Sequence, residues 1–280
     1  MSAPVVLITG CGSNGIGHNL CNEFSKKGYI VYATGLRFDL MTEVKDDTGN
    51  IRQKELDVCS DESTNRTVEE VMAEAGRLDI VIANAGILES GAVLDIPINR
   101  VNKVYDVNVN GTLRLARAAI PHMAARHQGL FVCIGSATGL VPTPWTGIYA
   151  SSKAAVHHIA GSLQMECKPL GVNIMLVAPG GVRSGIATAA LANFKVPDGS
   201  LYSEYSDAMI ERMFSSQKKY AYPAAEFAKA LVHDALKPTP PTFFSVGGGS
   251  WLFYFLAWLP KWMALAFLWR MFGKKNKPKA

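Results

Sequence analysis

The sequence has few cysteine residues, and none are spaced as metal ligands usually are. Its 280 residues include five cysteines, and no two of them form a Cys-x-x-Cys pair. An odd number at irregular spacing predicts neither a disulfide framework nor a zinc site. We therefore expect a reducing compartment and no bound metal. The five are Cys11, Cys21, Cys59, Cys133 and Cys167.

The N-terminus lacks the features of a signal peptide. No basic segment precedes an apolar one, and the first apolar run, Pro4 to Thr9, is too short for a secretory signal.

The net charge of +5 also lacks the distribution expected of a nucleic-acid-binding surface. Four of the positive charges lie in the last seven residues, at Lys274, Lys275, Lys277 and Lys279. The rest of the chain is nearly neutral, so we expect no nucleic-acid partner.

Short apolar runs rich in β-forming residues alternate along the chain with segments of helical spacing. Continuous apolar strands separated by helices indicate a parallel sheet covered on both faces. The sequence therefore predicts an α/β, Rossmann-type doubly wound parallel sheet in a single domain over 1–246. The predicted strands are Val5–Thr9, Tyr29–Thr34, Ile51–Val58, Leu78–Ala83, Leu130–Gly135, Val172–Ala178 and Thr242–Val246.

The segment Gly181–Tyr222 breaks this alternation with small and polar residues and weak amphipathic character. A loop of this length inside a compact domain is usually functional, and we expect it to cover the active site. It contains no phosphate-binding cluster, because its cationic residues Arg183, Lys195 and Arg212 are scattered. Helical spacing resumes over Pro223–Leu236.

A glycine-rich turn follows the first predicted strand and precedes a segment of helical spacing. Glycines there let the backbone approach a pyrophosphate, which the N-terminus of the following helix also attracts. The position between strand and helix favours a dinucleotide-binding loop over an ordinary tight turn. Its candidate cofactor contacts are Gly10, Asn14, Gly15, Ile16 and Gly17.

In folds of this type, the residues at the end of the second strand determine whether the site binds NAD or NADP. No acidic residue stands there to bind a ribose hydroxyl; the sequence is Thr34-Gly35-Leu36-Arg37. The guanidinium of Arg37 suits the 2′-phosphate of NADP, so we expect NADP(H) as the cofactor. The alternative is a solvated Arg37, with Asp39 as the ribose ligand.

Two further strand ends are placed to line a cofactor crevice. Asp57 and Val58 end the third predicted strand, where the carboxylate would hold the adenine. Asn84, Ala85 and Gly86 follow the fourth, where they would form the crevice floor. Each group taken singly is also compatible with a turn.

Residues with acid/base potential follow the fifth predicted strand. Tyr149 and Lys153 stand four apart on one helical face, so the ammonium would favour the phenolate of Tyr149. Ser136 would hold a substrate oxygen while Tyr149 transfers its proton. Asn108 is a candidate for positioning water or the lysine. The alternatives are an exposed helical pair, a helix cap and a helix kink, respectively.

These motifs, in this order, resemble those of the short-chain dehydrogenase/reductase family over roughly the first 245 residues. The resemblance rests on the glycine turn, Asn84-Ala85-Gly86, Pro179-Gly180 and the acid/base residues. It implies a catalytic tetrad, with the lysine also bonding the nicotinamide ribose, and an NADP-dependent oxidoreductase acting on CH–OH groups. The tetrad would be Ser136, Tyr149, Lys153 and Asn108.

The same resemblance implies further cofactor contacts. Pro179, Gly180, Val182 and Ser184 would lie against the nicotinamide, with the Val182 backbone near its carboxamide. Arg117 stands where some members of the family contact the cofactor, although a position on a helix surface is equally compatible with the sequence.

The glycine turn has four residues between Gly10 and Gly15, where most of the family has three. Together with Arg37 and the apolar C-terminus, it resembles a fungal and yeast branch of NADPH-dependent 1-acyldihydroxyacetone-phosphate reductases. Leu36 departs from the arginine that is frequent in that branch. The branch implies reduction of a lipid ketone to a secondary alcohol. A secondary-metabolite or steroid-type ketone or alcohol, and a non-catalytic cofactor-binding scaffold, are the alternatives.

The C-terminal segment 247–280 is predicted to be an apolar, membrane-associating tail with a basic end. A spanning helix needs about 20 apolar residues, and Trp251–Trp269 is interrupted by Pro260 and Lys261. We therefore expect two short halves lying in one leaflet of an endoplasmic-reticulum membrane or a lipid-droplet surface, with the catalytic domain facing the cytosol. The alternatives are a flap over the substrate mouth or a contact with a second copy, in a cytoplasmic protein.

Overall fold

A seven-stranded parallel sheet forms the centre of the protein. The structure, a computed structural model, describes residues 3–42, 44 and 48–276. The strand order is β3-β2-β1-β4-β5-β6-β7, which confirms the predicted Rossmann-type α/β fold. The strands are β1 Val5–Ile8, β2 Ile30–Gly35, β3 Ile51–Glu55, β4 Ile80–Ala83, β5 Gly129–Ile134, β6 Val172–Val177 and β7 Phe243–Phe244.

Ten α-helices in the described residues cover the sheet and extend beyond it. The four central strands β1, β4, β5 and β6 are almost wholly buried because helices lie on both of their faces. The helices are α1 Ile16–Lys26, α2 Asp61–Ala75, α3 Ile98–Tyr105, α4 Gly111–Ala124, α5 Gly147–Glu166, α6 Ile186–Leu191, α7 Ser206–Met213, α8 Ala224–Ala235, α9 Ser250–Trp258 and α10 Lys261–Phe272.

Alternating residues of β1 enter two separate cores. Val6 and Ile8 pack with α1 and α8 on one face, whereas Val5 and Leu7 pack with α2, α4 and α5 on the other. This period of two is that of a strand buried on both sides. The sheet is therefore held rigidly between two layers of helix, which sets the positions of the strand ends.

The structure differs from the sequence expectations at two places. β3 ends at Glu55 rather than Val58, and Leu56 to Val58 leave the sheet edge to line a cavity. The segment Gly181–Tyr222 is not a continuous loop, because it contains α6 and α7. α7 is stabilised by tertiary packing, since Ala208 and Met209 are buried against Trp145.

The tail folds as two short helices, α9 and α10, joined at Leu259 and Pro260. In the part of the chain that the structure describes, no helix is long and apolar enough to cross a membrane. One face of the pair packs on the domain, where Leu256 and Leu268 bury against Val141. The predicted membrane contacts Lys277 and Lys279 lie outside the described residues, and the division at 246 stays a prediction.

Candidate active site

A large cavity opens at the carboxyl edge of the sheet, where the strands end. Its volume is about 1450 Å³, and residues after β1, β2, β3, β4, β5 and β6 all contribute to its wall. Parallel sheets of this topology place ligand sites at this edge, because the strand order reverses there. Most of the predicted cofactor residues line this cavity, and so do three of the four predicted catalytic residues, Ser136, Tyr149 and Lys153.

The glycine turn forms one end of the cavity. Gly10 has a φ of +71°, and a Cβ on it would lie 2.7 Å from the Cα of Ala85. At Gly15, which precedes α1, no side chain caps the helix, and the first turn carries no acidic residue. The unpaired N–H groups and the positive end of the helix dipole are therefore free to bind an anion. This geometry fits the pyrophosphate of a dinucleotide.

Most of the predicted cofactor residues line the cavity, and four do not. Gly17 packs under the turn, since a Cβ there would lie 2.6 Å from the carbonyl oxygen of Gly10. Asn14 adopts a φ of +57° in the turn itself. Arg37 and Arg117 are exposed, and Arg117 lies on the outer surface of α4. Those that line it are Gly10, Gly15, Ile16, Asp57, Val58, Asn84, Ala85, Gly86, Tyr149, Lys153, Pro179, Gly180, Val182 and Ser184.

Asn84 links the turn to the fourth strand. Its side-chain amide donates to the carbonyl oxygens of Thr9 (2.8 Å) and Gly10 (3.0 Å). The Thr9 hydroxyl in turn accepts the backbone N–H groups of Asn84 and Ala85, both at 3.1 Å. These bonds hold the cradle in shape, so Asn84 acts there as a brace.

At the end of β2, the side chain of Arg37 is 63% exposed and forms a two-point ion pair with Asp39. Nε donates to Oδ1 at 3.0 Å and Nη2 to Oδ2 at 2.8 Å. Asp39 lines the cavity, together with Gly35 and Leu36. The exposed guanidinium can exchange the carboxylate for another anion at low cost, because surface ion pairs contribute little.

Tyr149 projects into the cavity from the first turn of α5, next to Ser136 at the end of β5. Burial raises the pKa of the Tyr149 phenol, while a hydrogen bond with Ser136 and the positive charge of Arg212 oppose that rise. The Ser136 hydroxyl also lies 2.9 Å from that of Thr138. A phenol and two hydroxyls therefore converge on one point in the cavity wall.

Lys153 lies one helical turn beyond Tyr149 and is buried. Its Nζ donates to the carbonyl oxygen of Ile134 at 2.8 Å and lies 5.9 Å from the centre of the Tyr149 ring. Burial lowers the pKa of this ammonium to about 8. The cation that opposes the rise in the pKa of Tyr149 is Arg212; the predicted effect of Lys153 on the phenol stays a prediction.

Asn108 is fully buried and braces the site from behind. Its Oδ1 accepts the N–H of Ile87 at 2.8 Å, and its Nδ2 donates to the Ile87 carbonyl oxygen (3.0 Å) and the Ser152 hydroxyl (2.9 Å). Gly86 lies close by, since a Cβ on it would be 3.2 Å from Oδ1 of Asn108 and 3.4 Å from Nζ of Lys153. With these polar atoms already bonded, the side chain orients the Gly86 turn against α5. The water-relay role of Asn108 stays a prediction.

His157 was not identified from the sequence, although it lies four residues after Lys153. Its Nε2 accepts the backbone N–H of Ser136 at 3.3 Å. Burial and the charge of Lys153 lower the pKa of His157 to about 4, so the ring is neutral near pH 7. A Cβ on Gly139 would lie 2.8 Å from the ring, so the imidazole packs directly under the strand end that carries Ser136.

The other half of the cavity is apolar and is built by the segment 181–222 and the tail. The placement of 181–222 over the cavity follows the sequence expectation. The tail also lines the cavity, as expected if it is a flap at the substrate mouth. Its outer surface remains exposed. The apolar lining residues are Ile186, Ala189, Ala190, Met213, Leu252, Phe253, Met271 and Phe272.

A nucleotide cradle facing a proton-transfer group across one cavity defines a Rossmann-type oxidoreductase that uses a nicotinamide nucleotide. A family model described as short chain dehydrogenase matches residues 4–193, well over half of the chain. The chain belongs to the short-chain dehydrogenase/reductase family, as an oxidoreductase acting on CH–OH groups with NAD or NADP.

Named relatives include reductases and dehydrogenases of fungi. The chain is 32% identical over 260 residues to "Short-chain dehydrogenase srdE" of Neurospora crassa, covering 91% of this chain and 87% of the relative. It is 32% identical over 210 residues to an "NADPH-dependent 1-acyldihydroxyacetone phosphate reductase" of Schizosaccharomyces pombe, covering 74% and 70%. These identities establish the family without distinguishing substrates.

Solved structures show the same architecture. A short-chain dehydrogenase from Streptomyces avermitilis aligns with a TM-score of 0.78 at 25% identity, covering 90% of this chain and 91% of the other. The structure "ElxO with NADP Bound" aligns with a TM-score of 0.73 at 29% identity, covering 89% and 99%. The fold and the cofactor class of the chain therefore agree with those of its structural relatives.

Proposed function

We propose that the chain is an NADPH-dependent reductase that converts a ketone on a hydrophobic substrate into a secondary alcohol. The observation that carries the proposal is the position of Tyr149, between an anion-binding glycine turn and an apolar chamber. A lipid ketone resembling 1-acyldihydroxyacetone phosphate is the substrate we favour. The named relative in Schizosaccharomyces pombe supports this choice.

The residues divide the reaction between them. Bound NADPH supplies the hydride for the carbonyl carbon. The hydroxyl of Ser136 donates a hydrogen bond to the carbonyl oxygen, and Tyr149 delivers its proton to the same oxygen. Because burial raises the pKa of Tyr149, the neutral phenol is the form present at physiological pH, as a proton donor requires. Lys153 remains on the cofactor side, where it is proposed to bond the nicotinamide ribose.

The preference for NADPH rests on the end of β2. Arg37 is exposed there, and its present partner Asp39 is a surface carboxylate that a 2′-phosphate would replace. We expect Arg37→Leu to lower kcat/KM for NADPH by about tenfold, equivalent to about 1.4 kcal/mol, with little change for NADH. Asp39→Asn is the matched control and should retain the NADPH preference. A wild-type preference for NADH would contradict the assignment.

The catalytic proposal is tested with Tyr149→Phe. The variant should lose ketone reduction, followed through NADPH absorbance on a panel that includes 1-palmitoyl-dihydroxyacetone phosphate, polyketide ketones and steroid ketones. It should still bind NADPH, measured by the fluorescence of the nucleotide. Tyr105→Phe is the control, because Tyr105 only bonds the Ser151 hydroxyl on the surface. Unchanged activity in Tyr149→Phe would refute the catalytic assignment of Tyr149, whereas an inert wild type that binds NADPH would favour a cofactor-binding scaffold instead.

The tail supports a second part of the proposal, attachment to an anionic lipid surface of the endoplasmic reticulum or a lipid droplet. The side of α9 and α10 turned away from the domain is apolar, with Trp258 86% exposed and Trp262 71% exposed. Exposed basic residues Lys261, Arg270 and Lys274 accompany it, and 247–280 contains no acidic residue. Large exposed apolar patches mark interaction sites, and the charge selects anionic phospholipid as the partner.

Sedimentation with phosphatidylcholine vesicles, with and without phosphatidylserine, tests this attachment. The wild type should sediment more strongly when phosphatidylserine is present. The double variant Trp258→Glu, Trp262→Glu should remain in solution while keeping its reductase activity, because both side chains point away from the cavity. Met165→Glu, at an exposed apolar residue of α5, is the control. A double variant that still sediments would contradict the proposal.

A further inference from the structure

A buried arginine, Arg212 of α7, lines the apolar half of the cavity. Its Nε and Nη2 donate to the hydroxyl of Thr143 at 3.1 and 2.8 Å, and its Nη1 donates to the hydroxyl of Ser215 at 2.7 Å. The guanidinium also stacks on the ring of Phe272, 4.9 Å from the ring centre. Segments far apart in sequence thus meet to hold this side chain.

The partners of Arg212 are all uncharged. Among the described residues, no carboxylate lies within ion-pair distance of its guanidinium, although arginines elsewhere in the protein pair with acids. Three of its five N–H groups are accounted for by the two hydroxyls, which leaves donors available on the cavity side. A buried cation without a counter-charge is costly, and natural proteins usually supply one.

The hydroxyl network fixes the direction in which the guanidinium points. Thr143 accepts two hydrogen bonds from Arg212, so its own proton is directed to the hydroxyl of Thr146, 2.7 Å away. Thr146 also lines the cavity and immediately precedes the helix that carries Tyr149. The guanidinium is therefore held rigidly in the part of the cavity that contains Tyr149.

The positive charge of Arg212 acts on the phenol of Tyr149. It opposes the rise in the pKa of Tyr149, and burial lowers the pKa of Arg212 itself only to about 10. The guanidinium thus stays charged at physiological pH. Arg212 and Tyr149 line the same cavity, where they would contact neighbouring parts of one substrate molecule.

We infer that Arg212 supplies the counter-charge site for an oxyanion carried by the substrate, so that the natural substrate is an anionic ketone bearing a phosphate or carboxylate close to its carbonyl. The inference rests on the proposed reductase function and narrows its substrate class. The fork of the guanidinium suits two-point binding of either group. The apolar walls around it receive the hydrocarbon part.

Matched pairs of ketones test the inference and separate the two anions. One pair is 1-palmitoyl-dihydroxyacetone phosphate with its dephosphorylated alcohol, and the other is 3-oxododecanoate with its methyl ester. Dissociation constants are measured by calorimetry on NADPH-loaded Tyr149→Phe protein, so that no turnover occurs. This protein, in which Arg212 is unchanged, should bind the anionic ketone of one pair at least about tenfold more tightly than the neutral ketone of that pair, as expected for a charged hydrogen-bonded contact.

Variants assign the preference to the residue. Arg212→Met, which has similar length and no charge, should reduce the ratio within the preferred pair to about one. Arg212→Lys keeps a charge without the fork and should give an intermediate ratio, which also protects the test if the methionine variant does not fold. Arg183→Met, at an exposed cation of the same segment, should keep the full preference.

Two results would overturn the inference. Equal affinity for both members of both pairs, with the cavity otherwise intact, would show that no substrate anion is recognised there. A preference that persists in Arg212→Met and Arg212→Lys would assign it to another residue. Failure of the reductase proposal is distinct, because it would appear as absent turnover of every ketone by the wild type while these binding ratios remain measurable.

Discussion

Replacement of His157 by glutamine tests how the site is held together. The imidazole lies under Ser136 and accepts its backbone N–H at 3.3 Å. Burial lowers the pKa of His157 to about 4, with a smaller contribution from the charge of Lys153. An unfolded chain would protonate this side chain near pH 6.5. Below that pH the unfolded state therefore binds a proton that the folded state does not, and folding stability falls as the pH falls.

The size of the effect follows from the two pKa values. With about 4 in the folded state and about 6.5 in the unfolded state, His157 accounts for a loss of about 2 kcal/mol between pH 7 and pH 5. The loss continues until the pH reaches about 4, where the folded protein also binds the proton. Glutamine removes the titration and keeps an oxygen that can accept the Ser136 N–H.

The measurement is the free energy of unfolding in urea at pH 5 and pH 7. Other groups titrate in both proteins, so the informative quantity is the difference between wild type and His157→Gln. The wild type should lose about 2 kcal/mol more than the variant over this interval. His233→Gln, at an exposed histidine of α8, should follow the wild type. Parallel pH profiles for wild type and His157→Gln would refute the assignment of a neutral, buried imidazole.

Two further pairs of variants test the packing of the fold. Gly17→Ala should destabilise the protein by about 1 to 3 kcal/mol and weaken NADPH binding, because its Cβ would meet the Gly10 carbonyl oxygen at 2.6 Å. Gly161→Ala, with nothing within 4 Å, should instead stabilise it by about 0.4 to 1 kcal/mol in urea unfolding. Leu268 is 1% exposed on the inner face of the tail, so Leu268→Ala should lower the free energy of unfolding by about 2 kcal/mol or more. Leu265 is 40% exposed on the same helix, so Leu265→Ala should lower it by less than about 0.5 kcal/mol. Equal effects within either pair would show that the described packing is wrong.

The predicted elements that proved correct are those specified by local patterns. Each of the seven strands lies within or close to its predicted run; for the central strands the reason is that a strand buried on both faces must be continuously apolar. The third prediction was too long, since Leu56 and Val58 are apolar for a different reason: together with Asp57 they line the cavity. Helices α6 and α7 were missed because they are short, with six and eight residues, and lie in a segment rich in small and polar residues. α7 is stabilised by contacts with Trp145, which no local pattern reveals.

The candidate site divides in the same way. Tyr149 and Lys153 were identified because a spacing of four places them one helical turn apart. The same spacing from Lys153 leads to His157, so a signal for that residue was present, although only its contact with Ser136 gives it a role. Arg212 carried no such signal. In the sequence it is one of three scattered cations, and only the structure brings it into the same cavity as Tyr149.

Taken alone, the sequence determined the positions of the central strands, the glycine turn before α1 and the phenol–ammonium pair on α5. These features depend on backbone geometry and on neighbours within one turn or one strand, so short stretches of residues specify them. Tertiary structure alone decided that Asn108 binds Ser152, that Arg212 is buried among uncharged partners, and that the tail closes the cavity on one side and exposes tryptophans on the other. Those outcomes depend on which distant surfaces pack together, a free-energy balance over the whole chain that no local spacing records.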